Sequence, residues 1–215
     1  MSIKIKICGL KTSKEIEIAY QSGATWYGLV FYDKSSRNIT LEEARHLVIN
    51  SPPKIKPVAV LVDENLERIE QISKIGITTI QLHGHEDLKL CYFLKEKYSF
   101  EIIKAIKIAS SKDIEQANNY INCVDWILYD QKDKYMAGGS GKSFDWTMLK
   151  NKKLAYKWIL SGGLNYKNII SALKITNANA VDVSSGVEDG SGKKSNYLIT
   201  NFCKEIENYS RIQKC

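Results

Sequence analysis

The sequence predicts an α/β fold, a single-domain (β/α) eight-stranded parallel TIM barrel of minimal size over residues 1–215. Eight short apolar segments alternate with helical patterns at the period that such a barrel requires. Several of these segments are almost continuously apolar, as parallel strands covered on both faces are. The length of 215 residues suits one domain and lies near the lower size limit of the barrel. An open doubly wound sheet is the alternative.

The predicted strands are short apolar runs that end in polar residues or glycine. The first alternates apolar and polar residues and stops at Cys8, so that its thiol lies where a strand opens into a loop. The second is almost continuously apolar and opens into a polar segment that ends at Arg37. The eight strands are predicted at 3–8, 26–31, 58–62, 78–82, 101–108, 126–129, 157–160 and 180–183.

The predicted helices are indicated by their caps and their apolar faces. Thr12 with Glu15, and Thr40 with Glu43, have the spacing of a capping box. Asn165 is the predicted N-cap of the helix after the seventh strand. The helices are predicted to end near residues 21, 50, 75, 97, 121, 149, 175 and 209, and the fourth begins at Glu86.

The longest irregular segment, residues 131–145, follows the sixth strand. It contains the glycine-rich run Gly138-Gly139-Ser140-Gly141. Loops of this length in compact domains are usually functional or disordered.

Composition argues against several classes of protein. The apolar fraction of 44% and the charged fraction of 26% are ordinary for a globular protein, and no apolar run approaches the roughly 18 residues that span a bilayer. The N-terminus lacks the apolar core of a signal peptide, so we expect a cytoplasmic protein with no membrane partner. The net charge of +7 comes mainly from lysines scattered along the chain, which indicates a solvated lysine-rich surface rather than a nucleic-acid site and would also attract a small anionic substrate.

The cysteine pattern favours reduced thiols. The five cysteines stand at positions 8, 91, 123, 203 and 215, widely spread and without a CxxC pair. Neither a disulfide framework nor a zinc site has this spacing. We therefore predict no metal site and free thiols.

Cys8 and Asp130 each stand at a predicted strand end, and strand ends converge on one mouth of a parallel barrel. A thiolate at Cys8 can take a proton from carbon, and a thiol needs only a small lowering of its ordinary pKa of about 8.5 to be partly ionised at neutral pH. Asp130 can donate a proton if burial raises the pKa of its carboxyl group. A packing role for Cys8 and a helix-cap or ion-pair role for Asp130 are the alternatives.

Two glycine-rich turns follow the seventh and eighth strands, where barrels often bind phosphate through backbone N–H groups. The first contains Gly162 and Gly163, and the second contains Ser185 and Gly186. Each turn by itself is equally explained as a tight connection between strand and helix. Their occurrence together predicts a phosphate site.

Arg37 and His83 are candidate substrate contacts. Arg37, one of four arginines, can bind a carboxylate through two hydrogen bonds, although a surface role explains its position equally well. His83 and His85 flank a glycine after the fourth strand and lack partners at metal-ligand spacing. A positioning or packing role is therefore favoured over zinc binding.

Five motifs taken together resemble one protein family. They are Lys6-Ile7-Cys8-Gly9-Leu10, Gln81-Leu82-His83-Gly84, Gly138-Gly139-Ser140-Gly141 with Phe144-Asp145-Trp146, Ser161-Gly162-Gly163-Leu164 and Val181-Asp182-Val183-Ser184-Ser185-Gly186-Val187-Glu188. Each motif is weak alone, but in this order and at these strand ends they are similar to phosphoribosylanthranilate isomerase of tryptophan biosynthesis. The resemblance runs from the first strand to the last.

The resemblance implies an Amadori rearrangement of N-(5-phosphoribosyl)anthranilate to 1-(2-carboxyphenylamino)-1-deoxyribulose 5-phosphate, without a metal or an organic cofactor. It implies that Asp130 is the acid that opens the ribose ring and that Cys8 is the base that removes the C2 proton. Arg37 matches the residue that holds the anthranilate carboxylate, and Asp182 matches one near the sugar hydroxyls. The residues that match the phosphate-binding turns are Gly162, Gly163, Ser185 and Gly186.

Three serines depart from the family pattern. Ser161 stands where alanine is commoner, Ser140 where threonine is frequent, and Ser195 where many members carry aspartate. The last departure leaves the start of the eighth helix open. The sequence is compatible with a monomer or a homodimer.

Two other sugar-phosphate barrels are the nearest alternatives. Indoleglycerol-phosphate synthase would require catalytic lysines and an extra N-terminal segment, and an isomerase of the histidine pathway would have aspartate in place of Cys8. A non-catalytic RNA-binding or ligand-binding module is the alternative from another class. It predicts clustered arginines and exposed aromatic residues, which the sequence lacks.

Overall fold

The chain forms a closed barrel of eight parallel strands in chain order. A computed structural model describes residues 3–131, 145–150, 152 and 154–213. The first and last strands pair with each other, which confirms the predicted barrel and rules out the open sheet. The strands are β1 (Lys4–Cys8), β2 (Trp26–Phe31), β3 (Lys56–Leu61), β4 (Thr79–Leu82), β5 (Glu101–Ile108), β6 (Trp126–Gln131), β7 (Trp158–Leu160) and β8 (Ala180–Val183).

Helices cover the outside of the barrel, and both predicted capping boxes form. The Thr12 hydroxyl accepts from the Glu15 N–H at 3.2 Å, and the Thr40 hydroxyl accepts from the Glu43 N–H at 3.1 Å. The α-helices are α1 (Ser13–Gln21), α2 (Leu41–Ile49), α3 (Leu66–Lys74), α4 (Leu88–Tyr98), α5 (Ser111–Glu115), α6 (Ile169–Thr176) and α7 (Asn196–Ile212). Short 3₁₀ helices follow α5, β6 and β8 at Gln116–Asn119, Trp146–Leu149 and Ser185–Val187.

Three predicted helix boundaries are wrong. Asp87 rather than Glu86 precedes α4, because the Glu86 carboxylate is buried in an ion pair with Lys104 at 2.7 Å. α6 begins at Ile169 instead of next to Asn165, whose side chain accepts from the Lys167 N–H and forms a turn before the helix. The helix after β5 shortens to α5 and continues as a 3₁₀ turn.

The interior of the barrel divides into a floor and a mouth. The floor, which we define as Lys4, Trp26 and Trp126, lies at the N-terminal ends of the strands. The two tryptophan rings pack edge to face with their centroids 5.2 Å apart. The Lys4 ammonium group lies 4.7 Å from the centroid of the Trp26 ring and 5.0 Å from that of the Trp126 ring. Above the floor, apolar side chains fill the middle of the barrel; they include Val58, Ile103, Leu128, Ile159 and Ala180.

The glycine-rich run 138–141 lies outside the described residues, as does most of the long segment that contains it. Ser195 caps α7 by accepting from the Leu198 N–H, so the start of this helix, which the sequence left open, lies at Asn196. Among the described segments, none of the helices has the length and apolar character that a bilayer span needs.

Candidate active site

Several inward-facing polar residues lie at the C-terminal ends of the strands, in the mouth of the barrel. Side chains alternate along a strand, so residues two positions beyond an interior side chain also face inward. Leu128 lies in the interior, which places Asp130 on the same face of β6. By the same alternation Ala180 places Asp182 on the inner face of β8. Lys6 and Cys8 likewise share one face of β1.

Cys8 is buried at the end of β1, beside Val30 and Val60. Its Cα partner on β2 is Gly28, where a Cβ atom would lie 2.8 Å from the Cys8 Sγ and 3.2 Å from the Lys6 Nζ. Both of these atoms therefore border the space that the glycine leaves free. A larger residue on β2 would displace the thiol or the ammonium group.

A buried ion pair lies directly below the thiol. The Lys6 Nζ is 2.9 Å from the Asp182 Oδ1, and the Ser161 hydroxyl donates to the Asp182 Oδ2 at 3.3 Å. Burial alone would lower the pKa of Lys6, but the charges of Asp182 and Cys8 outweigh burial and raise it. Lys6 is therefore a fixed positive charge beneath the candidate base. Asp182, a predicted substrate contact, is engaged by Lys6 one layer below Cys8.

Burial raises the pKa of the Cys8 thiol. The positive charges of Lys6 and Lys194 oppose this shift, whereas the negative charge of Asp182 reinforces it. The surroundings of Cys8 therefore do not produce the small lowering of the thiol pKa that would favour ionisation at neutral pH. The resting thiol is protonated, and its thiolate is a stronger base than that of an exposed cysteine.

Asp130 lies on β6 against His83, which follows β4. The His83 Nε2 and the Asp130 Oδ2 are 3.3 Å apart, and the side chains are 21% and 25% exposed. On the other side of the imidazole, the Gln81 Nε2 lies 2.8 Å from the Nδ1. With the Gln81 amide donating to Nδ1, Nε2 is the ring nitrogen that faces Asp130. His85, by contrast, is exposed and pairs with Asp63 at 3.0 Å.

Arg37 forms a bidentate ion pair with Glu188 at the edge of the mouth. The Arg37 Nε and Nη2 donate to the two oxygens of Glu188 at 2.6 Å and 2.7 Å. The stem of Arg37 crosses the backbone of Gly9, where a Cβ atom would lie 2.5 Å from the Arg37 Cδ. Gly9 also has a φ of 77°, so glycine is needed here for two reasons. Arg37 thus lies beside the residue that follows Cys8.

Lys194 contacts the same carboxylate. Its Nζ lies 2.7 Å from the Glu188 Oε1 and 2.9 Å from the carbonyl oxygen of Ser184. The Ser184 hydroxyl in turn donates to the carbonyl oxygen of Cys8 at 3.2 Å. Burial lowers the pKa of Lys194. Burial would raise the pKa of Glu188, but its bonds with Arg37 and Lys194 lower it.

The two glycine-rich turns lie against each other and against Asp130. A Cβ atom at Gly162 would lie 3.3 Å from the Asp130 Oδ1, and one at Gly186 would overlap the backbone of Leu164. Gly162 and Gly163 have positive φ angles of 86° and 69°. The N–H groups of Gly162, Gly163 and Gly186 donate to no acceptor among the residues that the structure describes. These N–H groups are available to an anion, and Ser185 begins the 3₁₀ helix beside them.

The structure therefore adds three residues to which the sequence analysis assigned no role: Lys6, Glu188 and Lys194. Lys6 could have been found, because it shares a strand face with Cys8. Glu188 ends the last of the five motifs, but the motif does not point to its partner Arg37, which is 151 residues away in the sequence. Lys194 lies in a polar segment after β8 that resembles an ordinary surface loop.

Comparison with known proteins identifies the family. The family model of N-(5'phosphoribosyl)anthranilate (PRA) isomerase matches residues 5–205. The chain is 39% identical to N-(5'-phosphoribosyl)anthranilate isomerase of Zymomonas mobilis over 96% of its length and 99% of the relative. It also superposes on the crystal structure of phosphoribosyl anthranilate isomerase from Thermotoga maritima with a TM-score of 0.87 and 38% identity, covering 96% of this chain and 99% of that one.

A second solved structure concerns the ligand. It is phosphoribosyl anthranilate isomerase in complex with reduced 1-(o-carboxyphenylamino)-1-deoxyribulose 5-phosphate, with a TM-score of 0.84 and 35% identity over 96% of this chain and 99% of that one. These matches span nearly the whole chain and agree with the geometry of the mouth. The chain belongs to the N-(5'-phosphoribosyl)anthranilate isomerase family.

Proposed function

We propose that this protein catalyses the Amadori rearrangement of N-(5-phosphoribosyl)anthranilate in tryptophan biosynthesis, with Cys8 as general base and Asp130 as general acid. The observation that carries the proposal is the shared mouth: both residues face inward at the C-terminal ends of β1 and β6, three strands apart around the barrel. In TIM barrels this end of the strands is where catalytic residues lie.

Asp130 acts in the first step. Its carboxylic acid gives a proton to the ribose ring oxygen, the bond between C1 and that oxygen breaks, and the amine nitrogen supplies the electron pair that forms an iminium ion. His83 contacts the Asp130 Oδ2 and holds the carboxyl group towards the mouth. Gly162 lies next to the Asp130 Oδ1. No side chain at that position therefore stands between the acid and the ligand.

Cys8 acts in the second step. The iminium ion makes the C2 proton acidic, so the Cys8 thiolate removes this proton and the electron pair of the C–H bond forms an enolamine. The enolamine then tautomerises to the ketone product. Lys6 stabilises the negative charge of the thiolate from below, because its ammonium group borders the same space as the Cys8 Sγ.

The other residues of the mouth bind the two anionic ends of the substrate. Arg37 holds the carboxylate of the aromatic ring. The backbone N–H groups of Gly162, Gly163, Ser185 and Gly186 bind the phosphate. Asp182 lies deeper, where it is held by its ion pair with Lys6. We expect it to lie near the sugar hydroxyls, below them in the barrel.

A coupled fluorescence assay tests the proposal. N-(5-phosphoribosyl)anthranilate is generated in the cuvette, and its disappearance is followed after addition of the purified protein. We expect loss of the fluorescence with saturation kinetics. A protein that folds but leaves the substrate unchanged would contradict the proposal, and turnover only of a histidine-pathway aminoaldose would support the alternative barrel.

A further inference from the structure

The ion pair between Arg37 and Glu188 uses only one edge of the guanidinium group. Glu188 binds the edge formed by Nε and Nη2. A guanidinium group has five N–H donors, so three remain, including both on Nη1. Among the described residues, Nη1 donates to no acceptor. The edge formed by Nη1 and Nη2 has the geometry that receives a second carboxylate through two parallel hydrogen bonds.

Arg37, Glu188 and Lys194 form a charged cluster whose members differ in burial. The Glu188 side chain is 8% exposed, whereas the Arg37 side chain is 31% exposed. The carboxylate is therefore the fixed partner, and the arginine extends from it towards solvent. Lys194 is buried and fixes the carboxylate through Oε1, the same oxygen that the Arg37 Nε contacts.

The charges in the cluster leave a positive excess. Glu188 is ionised, because Arg37 and Lys194 hold the pKa of its carboxyl group below the ordinary value. One negative charge thus faces two positive charges, and a net charge of one is left at the edge of the mouth. An anionic group of the substrate is attracted to this charge, and the free edge of Arg37 determines where it binds.

We propose that Glu188 is a positioning residue that orients Arg37 to receive the aromatic carboxylate, and that it thereby determines the preference of the enzyme for a carboxylated aryl amine. This inference rests on the proposed function, in which Arg37 binds that carboxylate. Glu188 itself contacts no reacting atom. Without it, no other described carboxylate would fix the guanidinium group, and Arg37 would bind a carboxylate in several orientations.

The experiment compares two substrates. N-(5-phosphoribosyl)anthranilate carries the carboxylate, and N-(5-phosphoribosyl)aniline lacks it. The ratio of their kcat/KM values measures how much the enzyme gains from the carboxylate. General damage to the fold lowers both values together, whereas misplacement of Arg37 lowers only the first and changes the ratio.

For Glu188→Gln we expect the ratio to fall about tenfold, mainly through a higher KM for the carboxylated substrate. Glutamine keeps the shape but offers Arg37 one neutral acceptor in place of a charged pair. The matched control is Glu207→Gln, which removes an exposed glutamate paired with Arg211 at 2.6 Å on α7. The control should keep the wild-type ratio.

Arg37→Ala tests the role of Arg37 separately from the role of Glu188. We expect this variant to lose nearly all preference for the carboxylate. If it loses the preference while Glu188→Gln keeps it, the inference about Glu188 is wrong and the role of Arg37 stands. If Arg37→Ala keeps the preference, the role of Arg37 is wrong and the inference falls with it.

A second variant covers the case in which Glu188→Gln does not fold. Glu188→Asp keeps the charge that neutralises Lys194, but its side chain is one methylene shorter and cannot hold both donors of Arg37. Its ratio should also fall, with the circular dichroism spectrum and melting temperature near those of the wild type. A folded Glu188→Asp protein with the full wild-type ratio would overturn the proposal.

Discussion

The floor and the mouth of the barrel differ in what surrounds their charged side chains. On the floor, Lys4 lies over the rings of Trp26 and Trp126. Trp126 also donates its indole N–H to Glu101 at 3.0 Å, so this end combines aromatic packing with satisfied polar groups. In the mouth, by contrast, Lys6 is fully buried beneath a thiol and depends on one carboxylate, Asp182.

This difference shows where the protein gains stability and where it gives some up. Buried aromatic contacts stabilise the fold, whereas buried ions cost free energy even when they are paired. A barrel with fully buried ion pairs at both ends would therefore be less stable. Because the two ends are separate, substitutions at one end should affect turnover and those at the other should affect folding.

Loss of the base should have the largest effect. Cys8→Ala removes the group proposed to take the C2 proton, so turnover should fall by about 10²–10⁴. The melting temperature should change little, because a thiol of small volume is lost. Steady-state kinetics and thermal unfolding measure the two effects. Cys203→Ala, which removes a buried thiol on α7, is the control that should keep turnover. Near-normal turnover in Cys8→Ala would reject the assignment.

The two aspartates at the ends of β6 offer a matched pair. Asp130→Asn keeps the shape of the side chain but cannot act as an acid, so turnover should fall by about 10²–10⁴. Asp125, at the other end, accepts from the Ile102 N–H at 2.8 Å and pairs with Lys95. Asp125→Asn should therefore lower the melting temperature by a few degrees without a change in turnover. Equal turnover in the two variants would contradict the proposed acid.

The reactivity of Cys8 should depend on pH in a defined direction. Because burial raises the pKa of the thiol, the thiolate is a minor species at neutral pH. Its fraction, and the rate of alkylation by iodoacetamide, should rise about tenfold per pH unit from pH 7 and continue to rise beyond about pH 8.5, where an ordinary cysteine levels off. Lys6, Lys194 and Asp182 are the charges around it. Mass spectrometry follows the reaction, with Cys8→Ala as the background, and levelling off near neutral pH would show a lowered pKa.

A change on the floor should have the smallest effect on turnover. Trp126→Phe keeps an aromatic ring but removes the hydrogen bond to Glu101 and part of the packing against Trp26. The free energy of unfolding should fall by about 1–3 kcal/mol, with kcat within twofold of the wild type. Denaturant unfolding and steady-state kinetics measure this pair of values. A loss of turnover without a loss of stability would contradict the idea that the floor affects stability and the mouth affects turnover.

The sequence by itself determined the barrel and the positions of its polar strand ends. Apolar period, capping boxes and glycine turns are local features, so they predicted the eight strands, the starts of the two helices with capping boxes, and the placement of Cys8 and Asp130 at the strand ends. The alternation along β1 also implies that Lys6 lies below Cys8 on the same face.

Only the tertiary structure decided which charges pair and how they change each other. Glu86 was expected to begin a helix, but it pairs with Lys104 because both are buried together. Arg37 meets Glu188 across 151 residues of sequence, and Lys6 meets Asp182 across 176. Closure of the barrel creates these contacts, and burial then raises the pKa of Cys8. Such effects depend on distance and solvent exclusion in space, which the spacing of residues along a chain does not specify.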